Sequence, residues 1–98
     1  MRKLQFKTPE DFQEVFTSRK VMVTDAIVDS IEQAVMHNKK TANIFEVTFE
    51  EAEQLFEIAL PSVEWVNALE AALDHYHEIQ ESDKCIDTWK LLEAVKTL

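Results

Sequence analysis

The sequence predicts an α+β domain in which helices predominate. Glycine is absent from its 98 residues and proline occurs only twice, which disfavours an all-β fold because tight hairpins need glycine at positive φ. Most apolar residues recur at helical spacing, whereas two short segments alternate apolar and polar residues as strands do. We therefore expect a two-stranded sheet, residues 3–7 and 43–49, packed against about five helices. A chain of this length corresponds to a single domain, residues 1–98.

The amino-terminal elements are expected to be a short strand and a helix. Leu4 and Phe6 alternate with polar residues, which indicates the strand. Thr8 then stands before Pro9, and this order is typical of a helix start, since threonine caps free N–H groups and proline suits the first turn. We expect this helix to end near Thr17 or Ser18.

A second helix is expected to end at Asn38, because asparagine tolerates the left-handed conformation that closes a helix. Its apolar stripe passes through Ile27 and Ile31. Its start stays open between Ser18 and Thr24, since the residues between them also suit the end of a strand.

The segment 43–49 is the best strand candidate, because apolar and polar residues alternate along it. It is expected to pair with residues 3–7, in a direction that the sequence leaves open. Residues 48–51 form a capping box, which predicts a third helix directly afterwards. The apolar residues of that helix follow helical spacing: Ala52, Leu55, Phe56 and Ala59.

Two further helices are expected at about 63–80 and 83–97. The Pro61-Ser62 pair ends the third helix and caps the fourth, and Ser82-Asp83 caps the fifth. Because the connection between the last two is so short, they should pack as an antiparallel hairpin. Most aromatic residues, Trp89 included, are expected in the core, and Cys85 is expected to face the core beside Trp89.

One block of the chain is strongly acidic. Residues 41–83 contain eleven acids and no Lys or Arg, so the block carries −11 while the rest of the chain carries +2, for a net charge of −9. Such a field attracts basic proteins and repels nucleic acid and anionic membrane. We therefore expect a basic protein partner, with no direct nucleic-acid binding and no membrane partner. The acids are Glu46, Glu50, Glu51, Glu53, Glu57, Glu64, Glu70, Asp74, Glu78, Glu81 and Asp83.

The acidic residues are expected on the outer faces of the third and fourth helices, where they would form the partner-binding surface. Trp65 lies at the edge of the fourth helix's apolar stripe and is the candidate apolar anchor, since tryptophan is common at interface hot spots. The alternative is a merely solvated face with Trp65 at the rim of the core. The candidate binding residues are Glu53, Glu57, Glu64, Trp65, Glu70, Asp74 and Glu78.

The sequence shows no motif for catalysis, for a cofactor or for a metal. His75 and His77 are two positions apart on a helix, so they point in different directions and cannot share a metal ion. These two and His37 are expected to be solvated. We expect a non-enzyme, because no catalytic motif is present. We expect a cytoplasmic protein, because a lone cysteine suits a reducing compartment and no apolar stretch is long enough to span a membrane. A deep pocket lined by Cys85 and a histidine would instead indicate an enzyme.

The glycine-free acidic chain, with its opening KLQFKTPEDFQEVF and its ending CIDTWKLLEAV, resembles small accessory proteins of T4-like tailed phages. The resemblance implies a protein that modulates other machinery by binding to it. We expect a small interaction module for a basic, possibly nucleic-acid-binding, protein, with mimicry of DNA by rows of carboxylates as one form of this function. The alternative is a structural homo-oligomer or assembly subunit.

Overall fold

A computed structural model describes residues 2–51 and 54–98, except for the side chain at position 54. Its order is strand, two helices, two strands, two helices, which confirms an α+β fold with more helix than strand. The described elements are β1 (Arg2–Phe6), α1 (Pro9–Ser18), α2 (Lys20–Met36), β2 (Thr41–Phe49), β3 (Gln54–Pro61), a 3-10 turn (Ser62–Glu64), α3 (Trp65–Glu78) and α4 (Ser82–Lys96).

The sheet has three strands in the order β1-β2-β3, with β2 parallel to β1 and antiparallel to β3. The predicted third helix is therefore wrong, since residues 54–61 form β3. Phe56, Ile58 and Leu60 also alternate with outward-facing residues, so the segment carries a strand period beside its helical one. Pairing with the apolar strand β2 favours the strand over the helix. This pairing is a long-range contact, so the spacing of residues within the segment does not predict it. Ala52, the first residue of the predicted stripe, lies outside the described residues.

The signals at both ends of the first helical pair are confirmed. The hydroxyl oxygen of Thr8 accepts a hydrogen bond from the N–H of Asp11 at 3.3 Å, as a helix cap does. α2 begins at Lys20, with only Arg19 between it and the end of α1. It ends at Met36, Asn38 follows at a φ of 53°, and the N–H of Lys39 donates to the carbonyl of Ala34 at 2.8 Å. This left-handed ending satisfies carbonyls that the last helical turn leaves free.

One core lies between the sheet and the α1–α2 pair. Parallel neighbouring strands need a crossover connection, and here α1 and α2 provide it. Phe12 and Phe16 of α1 approach Phe49 and Phe45 of β2, with ring centroids 6.1 and 6.2 Å apart. A bulge at Ile44 shifts the alternation of β2 by one residue, so that its apolar side chains stay on the helical side.

A second core joins α2 to the α3–α4 hairpin, whose presence is confirmed. Ile31, Leu69 and Leu92, one residue from each of the three helices, belong to this core together with Trp65. α3 starts at Trp65 rather than at residue 63, because a 3-10 turn precedes it. In the described part of the chain, no helix is long and apolar enough to cross a bilayer.

The helices cover one face of the sheet and leave the other face open. Lys3, Glu46 and Glu57 occupy neighbouring positions on the three strands. Their row lies on the open face, because the adjacent residues Val47 and Phe45 of β2 are buried on the helical side.

Candidate interaction site

The acidic block does not form a single helical face. Glu57 lies on the open face of the sheet, opposite Glu46 across the β2–β3 pair. Glu70, Asp74 and Glu78 lie together on the exposed side of α3. The prediction of one acidic surface on two helices is wrong, because its first half is a strand. Glu64 is exposed in the 3-10 turn, and Glu53 lies outside the described residues.

The basic residues near the termini pair mostly with acids outside the block. Among the described residues four ion pairs form, and only Lys3–Glu46, at 3.9 Å, reaches the block. The acids on the exposed side of α3 therefore form no ion pair with a cation from residues 2–51 or 54–98. The other three pairs are Arg2–Asp29, Lys84–Asp25 and Lys96–Glu93.

Trp65 is a core residue and not an exposed anchor. Its side chain is 1% exposed, and its indole N–H donates to the carbonyl oxygen of Leu60 at 2.8 Å. Leu69, Ala72 and Tyr76, which follow at helical spacing, are buried with it. Trp65 thus lies on the opposite side of α3 from the three acids. It is too buried to serve as the predicted anchor for a partner.

Trp89 is the tryptophan that faces solvent, contrary to the prediction that it is core. It is 55% exposed, and Ile86, one turn earlier, is 53% exposed. The core side of α4 is formed instead by Thr88, Leu92 and Val95. The sequence does contain this second stripe at i, i+4 and i+7, but its threonine is less apolar than the competing residues.

Trp89 and Ile86 line an open groove between α3 and α4 with a volume of about 580 Å³. Apolar side chains line most of it. One charged residue lies on each side of the groove, Asp74 on α3 and Lys90 on α4. A groove of this kind can bind the apolar face of a partner, while the charged residues at its rim select a partner of complementary charge. The lining residues are Leu73, Asp74, His77, Cys85, Ile86, Trp89 and Lys90.

Cys85 and His77 line this same groove, so the cysteine does not face the core as expected. A nucleophilic cysteine needs a base within hydrogen-bond reach. No hydrogen bond joins Cys85 to His77 in the part of the chain that the structure describes. The two side chains therefore contribute to the lining of the groove.

A partly buried polar cluster joins three helices. The hydroxyl of Tyr76 on α3 donates a hydrogen bond to Asp25 on α2. The ammonium of Lys84 on α4 lies 3.0 Å from the same carboxylate and 5.7 Å from the centre of the Tyr76 ring. Burial, followed by the bond to Asp25, raises the pKa of Tyr76 well above its usual value of 10.0. Sequence reasoning missed this cluster, because Asp25 is 51 residues from Tyr76 and 59 residues from Lys84.

His75 is buried, which contradicts its expected solvation. Its Nε2 atom has no hydrogen-bond partner among the described residues, and its ring lies 5.9 Å from that of Tyr76. The same residues contain no group of three His, Cys, Asp or Glu side chains arranged to hold a metal ion. The histidines of the described residues therefore belong to no such group.

The fold and groove together define a small acidic α+β domain with an exposed apolar cleft. No family model, curated protein or solved structure matches the chain.

Proposed function

We propose that this chain is a non-enzymatic interaction module that binds a basic, partly apolar segment of a protein partner in the α3–α4 groove. The observation that carries the proposal is an exposed tryptophan in an apolar groove beside a row of unneutralised carboxylates. The partner class is basic proteins, among them nucleic-acid-binding proteins, and the site of action is the cytoplasm. The resemblance to phage accessory proteins agrees with such a role.

The acidic row of α3 supports a basic partner. Glu70, Asp74 and Glu78 follow one another at four-residue spacing, so each carboxylate repels the next across one helical turn. Such repulsion costs the isolated helix a few tenths of a kcal/mol per pair. Lysine or arginine side chains of a partner would remove this cost and add attraction, which weakens as salt screens it.

The apolar residues of the groove support a directional contact and not only charge attraction. Trp89 offers a large surface that contact with a partner would remove from water, and tryptophan is enriched among interface hot spots. Ile86 lies one turn away on the same side of α4. An amphipathic helix presents side chains at this same spacing, so it is the partner shape that the groove fits best.

The proposal is tested with a synthetic helical peptide that has leucine on one face and lysine on the other. We expect its binding to shift Trp89 fluorescence to the blue, since the indole leaves water, whereas Trp65 is buried already. Glu70→Lys/Asp74→Lys and, separately, Trp89→Ala should each weaken binding about tenfold, which corresponds to ~1.4 kcal/mol. These affinities are measured by titration calorimetry, because Trp89→Ala removes the fluorescent reporter.

The matched control is Glu14→Lys/Glu32→Lys, which changes net charge equally at exposed positions of α1 and α2. It should leave the affinity for the peptide nearly unchanged. If the control loses as much affinity as the α3 variant, the attraction comes from net charge alone and the proposed site is wrong. A peptide with glutamate in place of lysine should not bind.

The same groove supports a second candidate function, self-association. Asp74 and Lys90 lie on opposite sides of the groove. A two-fold axis along the groove would therefore place each lysine next to the aspartate of the other copy, as an isologous dimer requires. Sedimentation of the wild type and of Trp89→Ala decides this point. A mass that stays monomeric at all concentrations excludes the dimer, whereas a dimer lost in the variant supports it.

A further inference from the structure

We propose that the free edge of β3 accepts an extended segment of another protein as a fourth strand, and that this segment carries a basic residue beside Glu57. The inference concerns a different surface from the α3–α4 groove and does not depend on it. It rests on an open sheet edge, on an incomplete row of charges and on apolar side chains exposed next to that row.

The outer edge of β3 is open. β3 pairs with β2 alone among the described strands, and it ends the strand order of the sheet. An edge strand presents N–H and C=O groups that can pair with another chain. At the carboxyl end, the carbonyl of Leu60 already accepts the indole N–H of Trp65. The available edge is therefore residues 55–59.

The charges across the open face of the sheet form a row that ends in an unbalanced acid. Lys3 is the register partner of Glu46, and Glu46 is the register partner of Glu57. Lys3 approaches Glu46 to 3.9 Å, so the row is positive, negative, negative from β1 to β3. Like charges opposite each other weaken a strand pair. A lysine or arginine on a fourth strand, next to Glu57, would balance the row.

The same edge exposes large apolar side chains that natural edges usually hide. Leu55 is 56% exposed on the open face, and Phe56 is 46% exposed on the helical face. Phe56 contacts Phe49 of β2 edge to face, with ring centroids 5.6 Å apart, and has no described strand on its other side. A fourth strand with apolar residues beside these two positions would cover both.

The charge distribution also selects this edge over the other edge of the sheet. β1, at the opposite edge, carries Arg2 and Lys3, which repel a basic segment. The segment that fits β3 therefore alternates side chains along an extended backbone, basic beside Glu57 and apolar beside its neighbours. Backbone hydrogen bonds supply the affinity in this mode of recognition, and the side chains supply the selectivity.

The experiment uses the whole chain and a synthetic extended peptide that has lysine at the position beside Glu57 and valine at the neighbouring positions. We expect the peptide to slow hydrogen exchange of backbone amides within residues 55–59 and to shift their NMR signals. Glu57→Lys should weaken its binding about tenfold and should create binding of the corresponding valine–glutamate peptide, which the wild type does not bind. Glu70→Lys, on α3, should leave the affinity within about twofold.

A second peptide separates strand pairing from charge attraction. It keeps every side chain, but alternate backbone nitrogens are methylated, which removes their hydrogen-bond donors. Strand addition predicts that it does not bind. The inference is overturned if the methylated peptide binds equally well, if the NMR changes map to the α3–α4 groove, or if neither peptide binds. It is also overturned if the amides of β3 are protected without peptide in a concentration-dependent way, because a second copy then occupies the edge.

Discussion

The two tryptophans lie in opposite environments although both belong to the α3–α4 hairpin. Trp65 has its ring in the core and its N–H bonded to a carbonyl, while Trp89 lies on the groove side of α4. The sequence predicted the opposite, with Trp65 at the edge of the core and Trp89 within it, because the apolar pattern of one helix does not show which side its neighbours cover. The stripe of a helix gives its apolar side, but which edge of the stripe meets the core depends on the helices beside it.

At these two positions we predict unequal costs. Trp65→Ala should lower the free energy of unfolding by about 3–5 kcal/mol, because it empties a core site and frees the carbonyl of Leu60. Trp89→Ala should cost less than about 1 kcal/mol, since the ring is half exposed. Urea unfolding followed by circular dichroism measures both.

If Trp65→Ala does not fold, Trp65→Phe keeps the comparison usable. It retains most of the ring, removes the N–H donor, and should cost about 1–3 kcal/mol. Equal losses for the replacements at positions 65 and 89 would contradict the assigned environments.

The helix endings show what short-range chemistry specifies in a chain without glycine. Asn38 follows the end of α2 and Gln80 follows the end of α3, each two residues after the last helical residue and both at positive φ, 53° and 60°. In each ending the following N–H donates back into the last turn, from Lys39 to Ala34 and from Glu81 to Tyr76. Asn38 was recognisable because asparagine favours this conformation, whereas glutamine has no such preference, so Gln80 gave no signal.

We predict that Gln80→Gly stabilises the protein by about 0.5–1 kcal/mol, because glycine adopts the left-handed conformation without a steric penalty. Asn38→Gly should gain less, since asparagine tolerates that conformation already. Thermal unfolding of both variants measures the difference. Glu78→Gly, in the last helical turn of α3, is the control and should cost up to about 1 kcal/mol. A loss of stability in Gln80→Gly would contradict the described helix ending.

The strand β3 shows where reasoning at the level of one element fails. Its capping box and its spacing favoured a helix, yet it pairs along its whole length with β2. A short apolar segment often satisfies both periods, and its choice depends on whether a neighbouring strand offers unpaired backbone groups. The parallel direction of β1 and β2 was likewise open in the sequence, because only the crossover of α1 and α2 decides it.

At the scale of the whole molecule, the Asp25–Tyr76–Lys84 cluster ties α2, α3 and α4 together. The tyrosine is buried and its hydroxyl donates to a carboxylate that the lysine also holds. Deprotonation of Tyr76 would place a negative charge beside Asp25 and remove the donated proton. Burial of the tyrosine, which disfavours the charged phenolate, is the larger cause, and the contact with Asp25 adds to it, so the pKa of Tyr76 is raised in the folded state.

The raised pKa predicts a loss of stability at alkaline pH. The unfolded tyrosine loses its proton near the usual value of 10.0, while the folded one keeps it, so the folded state binds more protons above that pH. Its contribution is fully present below pH 10 and then falls by at most about 1.4 kcal/mol per pH unit. Urea unfolding between about pH 8 and 11, which brackets the usual tyrosine pKa, measures this slope.

Tyr76→Phe provides the comparison for this slope. The variant should be less stable near neutral pH by about 1–3 kcal/mol, since Asp25 loses a donor. The difference from the wild type should then shrink as pH rises above 10. A difference that stays constant through this range would show that Tyr76 does not titrate with a raised pKa.

The amino-acid sequence by itself determined the α+β class, the cap at Thr8, the turn at Asn38, the strand 43–49 and the closing helix hairpin. All of these rest on contacts between residues close together in the chain. The tertiary structure alone decided that residues 54–61 are a strand, that Trp89 faces solvent in place of Trp65, and that the acids divide between sheet and helix. Those outcomes depend on which distant segment covers each face, because burial is settled between elements and not within them.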